Sequence, residues 1–327
     1  MTQTLLVLWF QATVYLLLAP GVVGLLHWFK ARLQGRRGAD PWQPYRDLLK
    51  LLFRKRPNIP ESASQVFLIA PPVIFVCYLL LGFFLPTFFI GNPGVSPMPW
   101  RSLSIDFIFV IYLLGLAKFI AALAAFDAGA PFGSMSSGRQ FYLHLLAEPA
   151  LMIAVYALTL TRSSSNIDQL IGYNLHQSIL ATLTNPALVL ILLALSTVFL
   201  AESGRLPFDN PHTHLELTMI EPGTFLEYSG RSLALIEWAN WLKLTFFLSL
   251  LVSLAWPWGM ATRLTVSALV VALLIYLVKI IGLTFLLAVW ELARVKLRLR
   301  RAFSPLLAAL GFALIAVVYT VAANYLL

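Results

Sequence analysis

Five of the fourteen acidic residues in this 327-residue chain fall within one stretch of thirty: Glu202, Asp209, Glu216, Glu221 and Glu227, in the run ESGRLPFDNPHTHLELTMIEPGTFLEYSGR. Arg205, Arg231, His212 and His214 stand among them, and long apolar stretches flank the run on both sides. Charge this dense beside a bilayer needs either water or a partner protein. Carboxylates at such a wet–dry boundary change protonation when a nearby charge moves or water leaves, so the chemistry they suit is proton or ion handling. The order His212-x-His214-x-Glu216 invites a metal reading. On a helix, however, His214 would point away from the other two, and no further ligand lies near, so polar residues of a protein interface account for it better and no metal site is expected. Gly223 and Gly230 read as turn residues, since no lysine-bearing phosphate loop follows either. No nucleophile–base pair or nucleotide motif stands out elsewhere, so no catalytic centre is expected in this chain alone.

A second set of charges lies within or at the ends of apolar stretches: Lys118, Glu148, Lys243, Lys279 and Glu291. A central Asp or Lys costs ~2.5–3.5 kcal/mol on insertion scales, so each should face a bundle interior, paired or hydrated. Structural ion pairs that fix helix packing are one account of them. Taken together with the acidic run, ion handling is the better one.

These residues must be positioned by membrane helices. The chain is 60% hydrophobic and 11% charged, with a mean hydropathy of +0.83, more apolar surface than a soluble domain of this length could bury. The fold class is an all-α polytopic membrane protein forming one integral membrane domain over 1–327. At about 20 residues per crossing, eight spans are expected, at 4–29, 65–90, 105–126, 141–160, 179–201, 234–257, 264–290 and 305–325. The linkers 30–64, 127–140, 202–233 and 291–304 then share one side. They hold seventeen of the Lys and Arg residues against three on the other side, which makes them cytoplasmic and both termini non-cytoplasmic. The net charge of +9 is therefore a matter of topology and does not point to nucleic acid. Pro41–Arg56 carries Tyr45, Leu48, Leu49 and Leu52 at helical spacing with Arg46, Lys50, Arg54 and Lys55, an amphipathic helix lying on the cytoplasmic surface. Cys77, the one cysteine, excludes disulfides and cysteine-held clusters within the chain. The N-terminus lacks the basic region of a cleavable signal and reads as a retained first span. The expected location is the plasma (inner) membrane. No fixed-period repeat or inverted pair of broken helices is visible, which argues against a freestanding channel or transporter.

Glu202-Ser-Gly-Arg-Leu-Pro-Phe-Asp209, Leu215-Glu216-Leu217 and Glu227-Tyr-Ser-Gly230 together resemble the signature of the complex I subunit 1 family, and the likeness runs nearly end to end. Arg36-Arg-Gly38 with Gln43-x-Tyr-Arg-Asp47 looks like that family's first cytoplasmic loop, and Arg139, nine residues before Glu148, fits its third loop and fourth span. Phe126-Asp-Ala-Gly-Ala-Pro-Phe132, Glu148-Pro149, Lys243, Val278-Lys279, Trp290-Glu291 and Leu297-Arg-Leu299 resemble the group-4 membrane-bound nickel–iron hydrogenase branch, formate hydrogenlyase included. The quinone-using branch has an acid-rich stretch after its PFD. Here Asn210–Glu216 keeps only the Glu216 carboxylate, and Thr218–Leu226 is longer than the common form.

The resemblance implies a non-catalytic coupling subunit of a hydrogenase-like complex. It would link a soluble arm, made of a nickel–iron large subunit and an iron–sulfur small subunit, to antiporter-like membrane subunits. The chain would bind no cofactor, since the nickel–iron centre and iron–sulfur clusters would belong to partners. Asp127, Glu148, Glu202, Asp209, Glu216, Glu227, Lys243, Lys279 and Glu291 would serve proton or ion coupling. Arg36, Arg37, Tyr45, Arg46, Asp47, Arg139, Arg205 and Tyr228 would form the docking or entry interface. The alternative is a subunit of an NADH:quinone oxidoreductase, with a quinone chamber made by the surface helix and the loops 127–140 and 202–233.

Overall fold

The computed structural model describes residues 2–55, 58–61, 63–90, 106–162, 164–177, 184–211, 215–262 and 265–326. Ten α-helices are described: α1 Thr2–Leu33, α2 Gln43–Phe53, α3 Gln65–Phe84, α4 Phe107–Asp127, α5 Pro131–Arg162, α6 Ile167–His176, α7 Pro186–Glu202, α8 Gly230–Ala255, α9 Val266–Ala293 and α10 Leu299–Leu326. Among the described residues only two isolated β-bridges occur besides these helices and one 3-10 turn, Pro222–Phe225. Seven helices are long and apolar enough to cross a bilayer: α1, α3, α4, α5, α8, α9 and α10. The fifth expected span corresponds to α7, which has 17 residues. The protein is thus an all-helical, multi-pass membrane protein, and its free Cys77 is buried in α3.

Local chemistry sets the helix ends. Ser64 caps α3 by accepting from Val66 N (3.2 Å), and Asn185 caps α7 by accepting from Ala187 N (3.0 Å), with Pro186 in the first turn. Asp127, at the end of α4, lends a second cap to α3, its Oδ2 accepting from Ser64 N (2.8 Å) and Phe67 N (3.1 Å). The hydropathy pattern starts the fourth span at 141, but α5 begins at Pro131. Its polar first turns stay helical because Ser136 and Ser137 are fully buried and Ser136 Oγ donates to Met219 O (3.4 Å). Only a few residues are left of the expected 127–140 loop.

Helix α8 is the hub, packing against α1, α2, α3, α6, α7 and α9. Its buried hydroxyls are satisfied locally: Thr245 donates to Trp241 O (2.8 Å), and Ser249 meets Tyr276 OH at 2.6 Å. On the other flank α10 packs along α5 and α7, and alanines fill both members of the closest pair. Ala147, Ala150, Ala154 and Ala157 of α5 and Ala309, Ala313 and Ala316 of α10 are fully buried, which lets the backbones approach. α4 joins the two groups through α3 and α5. Large apolar side chains such as Val266, Leu274, Val278 and Val318 point outward, as a lipid-facing surface requires.

The linkers gather at one end of the bundle, as their sequence alternation requires. Asn58 N donates to Ser229 Oγ (2.7 Å), Arg231 Nε to Leu52 O (3.1 Å) and Leu297 N to Pro207 O (2.8 Å). The short helix α2 lies against α8 and α1 there, burying Pro44 and Leu48 and exposing Trp42, Leu49 and Phe53 beside its basic residues. At the opposite end, Phe89 and Ala261 form a bridge, and Lys279 Nζ donates to the carbonyls of Trp256 (2.7 Å) and Trp258.

Candidate functional site

The acidic run begins where α7 stops. Ser203 N bonds back to Phe199 O (2.9 Å) and Arg205 N to Leu200 O (2.9 Å), while Gly204 between them has φ +58°. The segment then folds into the bundle, with Phe208 fully buried beneath it. As a result Glu202, Arg205 and Asp209 are all buried. Each charged residue in the first part of the segment pairs with a charge from a different part of the chain.

Glu202 meets α4 and α5. Lys118 Nζ donates to Glu202 Oε1 (2.5 Å), and His144 Nδ1 lies 3.2 Å from the same oxygen and 3.2 Å from Lys118 Nζ. Glu148, one turn further along α5, is 3.7 Å from Lys118 Nζ and half exposed. Arg205 meets α9: its Nη1 is 3.6 Å from Glu291 Oε1, a charge contact longer than a hydrogen bond, and Glu291 also pairs with Lys30 of α1. Burial pulls the Arg205 guanidinium down to about 10, against the raising effect of Glu221 and Glu237, so it stays protonated at neutral pH. Asp209 Oδ1 accepts from Lys296 Nζ (2.6 Å), and its Oδ2 accepts from the backbone N–H groups of Ile220 (3.2 Å) and Glu221 (3.0 Å). Glu221 pairs in turn with Lys243 of α8, whose ammonium lies 5.6 Å from the centre of the Tyr78 ring.

Of the residues expected to couple ions, Glu148, Glu202, Asp209, Lys243 and Glu291 therefore belong to buried or half-buried charge clusters. Glu216 and Glu227 are exposed, Asp127 is a helix cap, and Lys279 sits at the opposite end of the bundle, held by backbone carbonyls. The docking set divides similarly. Arg36 and Arg37 are exposed, Arg46 pairs with Asp40 (2.9 Å), and Asp47 accepts from Gln43 (2.9 Å). Tyr45 donates to Leu17 O (2.5 Å) and Arg139 to Met219 O (3.2 Å), so both hold the fold. Tyr228 donates to Phe67 O (2.8 Å) and stacks on that ring at 4.0 Å, and burial pushes its phenol above the usual range. His212 and His214 lie outside the described residues.

Sequence reasoning left five members of these clusters out of the ion-coupling set. Lys118 was legible as a charge in a span, but its partner was not. His144 stands four residues before Glu148, hence on the same helix face, a spacing that could have flagged it. Lys30 and Lys296 counted only toward topology, and Glu221 only toward the density of acid.

A cavity of about 470 Å³ opens between α1, α2, α8 and the segment 203–228. Asp40, Asp47, Glu221, Glu237, Arg205 and His27 share its walls with apolar residues such as Val23, Phe225, Leu226, Leu233 and Trp241, so it is a mixed polar and apolar chamber that reaches the buried charges from the end where the linkers gather. The 127–140 stretch does not line it.

Gly204 fixes how close the segment comes to Glu221. A Cβ there would lie 2.2 Å from Glu221 Oε2, at a backbone angle that costs a non-glycine residue ~1–2 kcal/mol. The clash is relieved only by moving the carboxylate, so Gly204→Ala should loosen the Glu221–Lys243 pair. The expected result is a lower unfolding temperature for the extracted protein and faster hydrogen exchange near Glu221. Unchanged values for both would show that Glu221 can shift without leaving Lys243.

A sequence profile described as NADH dehydrogenase matches residues 5–321. The chain belongs to this family. It is 36% identical to hydrogenase-4 component C of Escherichia coli (strain K12) over 278 residues, covering 85% of this chain and 83% of that protein. It is 32% identical to formate hydrogenlyase subunit 4 of the same organism over 317 residues, covering 96% and 97% of the two chains. A chain in the structure of the membrane-bound sulfane sulfur reductase, an archaeal respiratory membrane complex, superposes with a TM-score of 0.75 at 18% identity, covering 94% of this chain and 99% of that one. That likeness is one of fold. The family relationship agrees with the resemblance carried by the PFD and EYSG motifs.

Proposed function

We propose that this chain is the membrane-anchoring, ion-coupling subunit of a complex I-like, group-4 membrane-bound nickel–iron hydrogenase of the formate hydrogenlyase type. It crosses a plasma (inner) membrane eight times, with both termini non-cytoplasmic. α7, the fifth in chain order, completes the eight: its 17 residues rise about 25 Å, near the lower limit for a crossing. The end where the linkers gather faces the cytoplasm by the positive-inside rule and meets the nickel–iron large subunit and the iron–sulfur small subunit. Antiporter-like subunits pack along its lipid-facing helices. The redox centres belong to those partners, and this chain binds no cofactor.

The observation that carries this reading is the pairing of one segment with four separate parts of the fold. Glu202, Arg205, Asp209 and Glu221 engage α4, α9, the α9–α10 linker and α8 in turn. A charge change in a docked redox subunit that displaces the segment perturbs all four pairs, and with them the proton affinities of groups inside the bundle. Such coupling is reciprocal, so an ion gradient biases the redox step in return. The two Escherichia coli relatives, components of a hydrogenase and of formate hydrogenlyase, support the choice of redox partner. The test is mild solubilisation, capture of the tagged chain and identification of what accompanies it, with nickel measured in the same sample. A nickel-bearing large subunit is expected. Flavin-containing NADH dehydrogenase modules in its place would favour the second reading.

That second reading, a quinone chamber, draws on the cavity beneath α2. An isoprenoid tail needs apolar walls, which Val23, Phe225, Leu226, Leu233 and Trp241 supply, while the ionisable residues among them suit water or a polar headgroup. Quinone-dependent turnover of the purified complex would promote it.

A further inference from the structure

His144 is fully enclosed in the bundle, and one ring nitrogen faces two partners with opposite requirements. Nδ1 is 3.2 Å from the Lys118 ammonium, which can only donate, and 3.2 Å from the Glu202 carboxylate, which can only accept when ionised. With Lys118 on Glu202, as here at 2.5 Å, the ammonium already satisfies the carboxylate, and Nδ1 can accept from the ammonium without carrying a proton. Lys118 has a second carboxylate within reach, since Glu148 lies 3.7 Å from Nζ. If the ammonium turns to Glu148, Glu202 is left facing Nδ1, and a proton there restores both the hydrogen bond and the charge pair. The groups facing the ring are Lys118 from α4, Glu202 from α7 and Glu148 on α5 itself. Among the described residues the other elements packed on α5 bring no ion-pair partner to His144: Glu221 beside the 3-10 turn is held by Lys243, and no α10 residue forms a salt bridge.

We infer that His144 is a proton-binding site whose occupancy is linked to the position of Lys118, so that uptake of one solvent proton on Nδ1 accompanies the move of the ammonium from Glu202 to Glu148. The atoms balance simply: hydronium gives its proton to the Nδ1 lone pair, the Lys118–Glu202 hydrogen bond is exchanged for Lys118–Glu148, and no covalent bond between heavy atoms changes. The cluster gains one positive charge in the membrane interior, which neighbouring ionisable groups must feel. This inference rests on the coupling role proposed above and assigns a carrier of the exchanged proton within it. A buried imidazole flanked by three charges is well suited to this, because small movements of its neighbours shift its proton affinity across neutral pH.

The test uses the assembled complex in inverted membrane vesicles, reading ions moved per redox turnover from about pH 5 to 8. The wild type should show a pH-dependent limb in that ratio. His144→Asn keeps a hydrogen-bonding atom near the Nδ1 position but cannot titrate, and should lose the limb; an unchanged limb overturns the inference. Glu148→Gln removes the second position of Lys118 and an anion near the ring, so the limb should move to lower pH; a limb that stays in place also overturns it. Where His144→Asn does not assemble, Glu148→Gln decides alone by the same criterion. A Glu202→Gln complex that moves ions at the wild-type ratio would remove the coupling role itself. Lost coupling in Glu202→Gln beside an intact limb in His144→Asn would remove only the role of His144.

Discussion

Lys118→Met is expected to destabilise the protein by about 3–5 kcal/mol, the cost of leaving one member of a buried ion pair without the other. Lys118 and Glu202 are almost completely buried, and Lys118 is the only fully charged group hydrogen-bonded to that carboxylate among the described residues. Methionine fills most of the volume of the lysine stem, so packing changes little and the loss is chiefly electrostatic. The effect should depend on pH in a defined direction. His144 can take over from the lysine only when protonated, so the variant should be less impaired at pH 6 than at pH 8. Adding Glu202→Gln removes the stranded charge, and the double variant should regain most of the stability lost by Lys118→Met. Thermal unfolding of the extracted complex, run as a double-mutant cycle at both pH values, measures this. Strictly additive losses would show that the two charges do not sense each other. Rescue restricted to stability, with ion movement still lost, is the outcome that separates a coupling pair from a merely structural one.

The pattern of these clusters explains what the sequence could and could not reveal. Apolar runs gave the membrane class, the gathering of the linkers at one end and most helix positions, because insertion into lipid depends on composition over about 20 residues and little else. The start of α5 was missed for a physical reason: the stretch from Gly133 to Gln140 is polar by composition, yet Ser136 and Ser137 are buried against the folded-in segment. Hydropathy cannot anticipate a tertiary partner. The acidic run was legible as an anomaly, but its burial was not. It was read as charge held at the membrane edge, whereas Glu202 and Asp209 lie inside, and only Glu216 and Glu227 meet that description. Pairings such as Lys118 with Glu202, Lys243 with Glu221 and Lys296 with Asp209 join residues far apart in the chain, and a single sequence carries no record of them. Lys279 is the counterpart: a charge in a span that looked like part of a relay and instead closes the end of α8 through backbone carbonyls.

Asp209→Asn, nearly isosteric, is expected to be as disruptive as a truncation. Oδ1 accepts from Lys296 Nζ (2.6 Å) and Asn210 N (2.8 Å), while Oδ2 accepts from Ile220 N (3.2 Å) and Glu221 N (3.0 Å). Whichever way an asparagine amide is turned, its NH₂ group faces two donors. Either the Lys296 ammonium loses its carboxylate and keeps only Thr218 O, or the two backbone N–H groups lose their acceptor. A buried donor left unsatisfied costs about 1–3 kcal/mol, and more where a charge is involved. The consequence reaches further than this pocket, because the N–H anchored by Asp209 belongs to Glu221, whose carboxylate holds Lys243. Releasing the backbone of residues 218–221 therefore loosens the next pair inward, and ion coupling should fall with it. Hydrogen exchange read by mass spectrometry on the purified complex tests the sequence of events. Ile220 and Glu221 should exchange faster in Asp209→Asn, and Lys296→Met should reproduce part of the effect, since it frees Asp209 Oδ1 and Thr218 O while the Oδ2 bonds to Ile220 and Glu221 stay in place. Native protection of residues 218–221 together with lost ion movement would make Asp209 a titrating relay group; lost protection and lost movement together make it the anchor that keeps Glu221 on Lys243.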